Sequence, residues 1–497
     1  MDVPDRTRTL RYVVGQDVTT LEPTQVSGWT DHTASLAVFG ALAFNFDGAT
    51  GNVGYRPYLA ERIEAVDDRS WEIDVREGLT FHDGTPVDAE AVRFSLSRIL
   101  HPEFPSGRYF HTAPIEHVEA TSPRTVRLHT REPIAILPAR LLRADGYVVA
   151  PSVYCGAPPW HLDRTRMQPV GAGPFAFVAH EPGERLVLHV HDGFRDPFGR
   201  SRPRFDRLEL VVTPDPAEAL GALVRGDVDI APLPAEVAAS ASELPGVRVV
   251  SAPDTSRMSF DINQAAHPAL SDVRVRRALL HAVDVDALLA EHTAGAGARL
   301  LTLVNPPNVN PHLRPYPFAP SLARGLMAEA GWSEGFEIDV HWSTTPDRGV
   351  LARALVPYLT AIGVRVREVR ELDWQREYQP RQKEGTLGAL HGHGHGGVEM
   401  TVETDLWPHH PARPANSMNW LGPGADAFVE TYARIQRAAD PDAQRELGFE
   451  LQRIAHDEAI SLVLWQAPRY VAVAERVRHF RPYPGGHNED FWAIELA

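Results

Sequence analysis

Three histidines alternate with single glycines in Gly-Ala-Leu-His-Gly-His-Gly-His-Gly-Gly-Val-Glu-Met, residues 388–400. An extended chain repeats its side-chain direction every second residue. His391, His393 and His395 would then project to one side, about 6.5 Å apart at Cα. Two imidazoles at that spacing reach one metal ion, and imidazole suits nickel, copper and zinc. The same rings can instead donate to, or stack on, an organic ligand. Gly392, Gly394 and Gly396 leave the opposite side bare, open to close approach by backbone or ligand. The bland reading is a glycine-rich turn whose histidines face solvent. A second cluster follows in Glu-Thr-Asp-Leu-Trp-Pro-His-His, which offers Trp407, His409 and His410.

Other chemistry is thinly represented. Cys155 is the single cysteine, so no intrachain disulfide and no cysteine-built zinc or iron–sulfur site can form. Its Pro/Gly-rich setting reads as a structural turn. Gly-Ala-Gly-Pro-Phe-Ala, 171–176, has the glycine spacing of a dinucleotide loop. Pro174 and the strand-like residues after it deny that loop its helix. No phosphate-loop, zinc-protease or serine-hydrolase motif is present, and the paired acids Asp67 and Asp68 sit in a polar turn. A hydrolase is therefore the weakest alternative, and no cofactor is expected beyond a metal or metal chelate held as ligand.

The elements that must position these groups belong to a large chain. Its 497 residues exceed one hydrophobic core and imply two or three domains. An apolar fraction of 43% is ordinary for a globular protein, and a net charge of −16 argues against nucleic acid as partner. No apolar run approaches the roughly 18 residues of a membrane span. The N-terminus is polar and passes directly into a strand, as a natural cytoplasmic start or a chain cut from its leader would.

Periodicity places strands at 9–16, 71–78, 125–133 and 185–194, and strand–helix–strand over 205–233. Residues 30–46 read as a helix, or as a helix with a following strand. An amphipathic helix covers 88–100, with Pro86 ahead of it and acids in its first turn. Residues 272–292 read as strongly helical. Strand, helix, strand, helix, strand then succeed one another from 336 to 392, which favours a parallel or mixed α/β sheet. Two helices fill 425–460, and the chain returns to strands. Opening and closing strands thus bracket a self-contained α/β unit at about 270–465.

Five ordered stretches resemble one family. They are Phe-His-Asp-Gly-Thr-Pro-Val-Asp-Ala-Glu-Ala-Val-Arg-Phe-Ser within 55–100, Val-Gly-Ala-Gly-Pro-Phe at 170–175, Gly-Asp-Val-Asp at 226–229, and the runs 259–288 and 440–465. Ala172 and Phe175 stand where relatives have Thr and Tyr. The chain resembles, from about 9 to 492, the peptide/nickel group (family 5) of solute-binding proteins that serve ABC importers.

The resemblance implies an α/β, two-lobed periplasmic-binding-protein fold with the ligand cleft between lobes. Lobe one would span 1–253 with a subdomain at about 45–150, lobe two 254–469, and 470–497 would return to lobe one. It implies a monomeric, non-catalytic receptor, periplasmic or lipid-anchored outside the cell, which hands its solute to permease subunits. Relatives carry Trp-Gly and an Asp where this chain has His391–His395, so ordinary dipeptide binding is in question. Trp29, with His32 beside it, would lie in the first cleft loop. Arg108 and Arg143 stand where relatives pair carboxylates with guanidinium groups. The ligand set is then Trp29, His32, Arg108, Arg143, His391, His393, His395, Trp407 and His409. In the metal-chelate alternative, His393, His395 and His410 bind the metal. His82 and Asp83 are read as a structural turn, and Arg274 and Arg276 as braces of lobe two.

Overall fold

The computed structural model describes residues 8–26, 28–44, 55–101, 104, 115–142, 146–154, 169–293, 296–343, 348–392, 401–413, 416–484 and 489–497. Two compact units emerge: 1–253 with 468–497, and 254–467.

In unit 1, β1 (Thr9–Val14) is buried at every residue, as expected of a strand covered on both faces. Helix α1 (Trp29–Phe39) ends at Gly40, whose φ of 65° turns the chain into the short strand Ala43–Phe44. Four antiparallel strands make a small sheet in the order β2 (Ala60–Ala65), β3 (Ser70–Val75), β5 (Thr125–Thr130), β4 (Ile115–Ala120). Helix α2 (Ala89–Ile99) lies against β4 and β5. The Asp88 carboxylate caps it by accepting from the Ala91 N–H at 2.9 Å.

The main sheet of unit 1 adds β6 (Phe175–Glu181), β7 (Arg185–Val190), β8 (Arg207–Val212) and β9 (Ile230–Leu233). β9, β1 and β8 run parallel, and β7 and β6 follow antiparallel. Helix α3 (Pro216–Val224) connects β8 to β9, with Asp215 as cap and Pro216 at its first position. β9 closes on residues 470–473, the second half of the strand Ser461–Ala474.

The turn at 82–85 braces this unit. Asp83 accepts from Thr85 N–H at 3.0 Å and from the Ser152 hydroxyl at 2.6 Å. The His82 ring donates to Gly173 O at 3.1 Å and accepts from Gly171 N–H at 3.3 Å. β6, not a helix, follows Gly-Ala-Gly-Pro, so the dinucleotide reading fails on structure as well as on sequence.

Unit 2 begins inside β10 (Val247–Ile262). The helical run expected at 272–292 is broken: α4 (Val273–Ala282) and α5 (Val285–Thr293) flank Val283, which is extended. The cause is local, because the Asp284 side chain accepts from Ala287 N–H at 3.0 Å and starts a second helix. Arg276 is buried and donates to Glu458 and to the Leu270 carbonyl, whereas Arg274 stays on the surface with Asp272. β11 (Phe336–Ser343) leads through α6 (Arg348–Ala354) and α7 (Val356–Thr360) to β12 (Val364–Leu372). Pro357 interrupts the one helix expected there, lacking the N–H that would continue it.

β13 is short, Leu390–Gly392, and central: it pairs parallel with β11 and antiparallel with β10. Helices α8 (Val402–Leu406), α9 (Pro423–Arg437) and α10 (Pro441–Asp457) complete the unit. Phe260, Trp342 and Trp465 anchor one core of unit 2, and Trp420, Phe428 and Tyr432 another.

Candidate functional site

β13 carries the first histidine of the alternating run into the interior. His391 is fully buried, between Asp261 of β10 and His341 of β11. Its Nε2–H donates to the Ser417 carbonyl at 3.2 Å, and its Nδ1 accepts from the Tyr378 hydroxyl at 3.1 Å. Burial pushes its pKa down to about 4, so the ring is neutral and its tautomer is fixed by these two partners. This corrects the one-sided picture of three imidazoles turned toward a ligand. The first ring is committed within the protein, to the Tyr378 hydroxyl and the Ser417 carbonyl.

The glycine partner has an equally structural reason. A Cβ on Gly392 would lie 1.8 Å from Cζ3 of Trp342, so the bare side of the strand is occupied by an indole rather than offered to a ligand. Gly392→Ala is expected to destabilise the fold by about 1–3 kcal/mol or more through overpacking. Urea unfolding checks this, and an unchanged midpoint would refute the packing.

Asp261 gathers a second histidine. It accepts from His409 Nε2–H at 3.1 Å and from the Ser461 hydroxyl at 2.5 Å, and all three groups are buried. His341 accepts from Gly388 N–H at 2.8 Å, and burial lowers its pKa. His410 packs among Trp407, Phe428 and Tyr432, with ring centroids at 5.1, 6.0 and 4.7 Å. Its Nδ1 accepts from Ala412 N–H at 3.2 Å, and burial lowers its pKa to about 4. The structure thus places His391 beside Asp261 as its cross-strand neighbour, with His409 held on that same carboxylate.

His393, His395, Arg108, Arg143 and Cys155 lie outside the described residues. Trp29 opens α1 and is 37% exposed, while His32, one turn on, is buried. Trp407 is half-buried against Tyr432. Among the described residues, no three His, Cys, Asp or Glu side chains converge as a metal site would require.

Sequence reading missed Asp261, Tyr378 and Ser461, along with a neighbouring buried pair. Arg257 Nη1 donates to Asp405 Oδ1 at 2.6 Å, and the same carboxylate accepts from Asn305 N–H at 2.8 Å and Asn305 Nδ2 at 3.0 Å. One signal was available: Asp261 is an acid at a buried position in the apolar strand Ser-Phe-Asp-Ile.

Comparisons with known proteins add to this geometry. A family model described as "Bacterial extracellular solute-binding proteins, family 5 Middle" matches residues 54–409. Heme-binding protein A of Haemophilus influenzae is 25% identical over 505 residues, covering 95% of this chain and 89% of its own length. The dipeptide-binding protein of Escherichia coli is 25% identical over 513 residues, covering 94% and 91%. The crystal structure of NikZ from Campylobacter jejuni in complex with Ni(L-His) superposes with a TM-score of 0.82 at 17% identity, covering 99% of this chain and 100% of that one.

Proposed function

Because the chain belongs to the bacterial extracellular solute-binding proteins, family 5, we propose that it captures a small solute, peptide-like or another organic compound, and delivers it to the permease of an ABC importer. The family match over 54–409, well over half of the chain, carries this reading. The protein is a receptor and not an enzyme, as its relatives are. It works as a monomer, in the periplasm or tethered by a lipid outside the cell.

His393 and His395 are the imidazoles we assign to the ligand, with Trp29, Arg108, Arg143 and Trp407 as further contacts. His391 and His409 support them from within unit 2, where their partners are already in place. The spread of relatives named for heme, dipeptide and Ni(L-His) keeps a metal chelate as the second reading.

One experiment separates the two. Mass spectrometry of the purified protein identifies the solute it retains, and calorimetry then follows its binding to wild type and His393→Ala at pH 5.5 and 7.5. For an organic anion, protonation of the imidazole adds charge and affinity rises as pH falls. For a metal or its chelate, protons compete and affinity falls below about pH 6.5. In either case His393→Ala is expected to weaken binding about tenfold. Equal affinity in His393→Ala and His395→Ala would remove the histidines from the site.

A further inference from the structure

The parallel strands of unit 2 stand side by side in the order β12, β11, β13, while the chain makes them in the order β11, β12, β13. The chain therefore leaves β11 to one side to form β12, and crosses to the other side to form β13. The direction of winding reverses between β11 and β13. In open α/β sheets, ligands lie in the crevice outside the carboxyl ends of the strands at such a reversal. Those ends are Ser343 of β11 and Gly392 of β13. His393 and His395, assigned to the solute, follow Gly392 in the chain.

β10 flanks β13 and runs antiparallel to it, with Asp261 opposite His391 and Ile262 opposite Leu390. Stepping back along β10 from Asp261 thus leads toward the carboxyl edge of β13. Alternate residues of a strand share a face. On this face Thr255, Arg257, Ser259 and Asp261 are each 3% exposed or less. Asp261 is met by His409 and Ser461, and Arg257 donates from Nη1 to Asp405. The hydroxyls of Thr255 and Ser259 and the Nε of Arg257 are different: buried, they have no partner among the described residues. Polar groups are costly to bury unmet. All three can donate, so the group that satisfies them is an acceptor. Hydroxyl and guanidinium donors together favour a carboxylate, whose two oxygens accept several hydrogen bonds.

We propose that Ser259 is a solute-binding residue, whose hydroxyl donates to a carboxylate of the solute at the carboxyl edge of β13. The inference rests on the solute-receptor reading and narrows its ligand to a carboxylate-bearing anion. Ser259 then selects for the acid over its neutral analogues, a task that none of the hydrogen bonds within the protein asks of it.

Succinate is the probe, because its carboxylates accept hydrogen bonds and its carbon chain donates none. Calorimetry at pH 7.5 is expected to show binding to wild type, and binding about tenfold weaker to Ser259→Ala. Urea unfolding without succinate separates this from a structural role. Ser259→Ala is expected to be at least as stable as wild type, since the lost hydroxyl held nothing within the protein. A less stable Ser259→Ala, equal affinity in the two proteins, or no binding of succinate by wild type each overturns the proposal. Mass spectrometry of the solute retained by the purified protein tests the receptor reading separately.

Discussion

Arg257→Met is expected to lower the unfolding free energy of this protein by about 3–5 kcal/mol, the cost of leaving a buried charge without its partner. Arg257 and Asp405 are each about 1% exposed or less at the side chain, and they meet at 2.6 Å. After the substitution, the donors that Asp405 retains among the described residues are those of Asn305, which are uncharged. The double variant Arg257→Met with Asp405→Leu is expected to recover most of the loss, since removing both charges removes the desolvation penalty too. Urea unfolding of the three proteins provides the test. A single variant as stable as wild type would mean that the pair is not buried as described.

Stability is expected to fall as pH drops from 6.5 to 4. Burial holds the imidazoles of His391, His82 and His410 at pKa values of about 4, against 6.5 for a free ring. Between those values the unfolded chain carries a proton on each ring and the folded protein does not. The unfolded state therefore binds more protons, and lowering the pH favours it. Fully buried His391 alone withdraws on the order of 3 kcal/mol across that window. His391→Gln keeps a donor and an acceptor but does not titrate, so the difference in unfolding free energy between pH 7.5 and 4.5 is expected to shrink by a comparable amount. A wild-type curve that stays level over this range would show these rings to be open to protons.

Local signals in the sequence carried well into three dimensions. The helices expected at 88–100 and within 205–233 form, capped by Asp88 and Asp215, and the strand–helix alternation after residue 336 does produce parallel pairing of β11 with β12 and β13. The family's motifs were legible for the same reason: each is a contiguous run. What the sequence concealed depends on neighbours brought from afar. A period of two tells which side chains share a face, but it says nothing of what covers that face. Trp342 fills the side of Gly392 that looked vacant, and Tyr378 and Ser417 already hold the ring of His391. His409 finds Asp261, and Arg257 finds Asp405, each across 148 positions, and no window of sequence announces such a pair. The helix break at Val283 was hidden differently, since Asp284 is as acceptable inside a helix pattern as at the cap it forms.

The return of residues 468–497 to unit 1 sets an order of events on the ribosome. β9 pairs with Tyr470–Val473, and Tyr12 of β1 shares Glu489 with Arg469. These partners leave the ribosome only after the roughly two hundred residues of unit 2 have been made. At about 5–20 residues per second, β9 waits some 10–40 s with one edge open. An open strand edge invites pairing with another chain. A nascent chain stalled before residue 468 should thus be the form of this protein most in need of a chaperone, whereas unit 2, contiguous in sequence, can finish folding first.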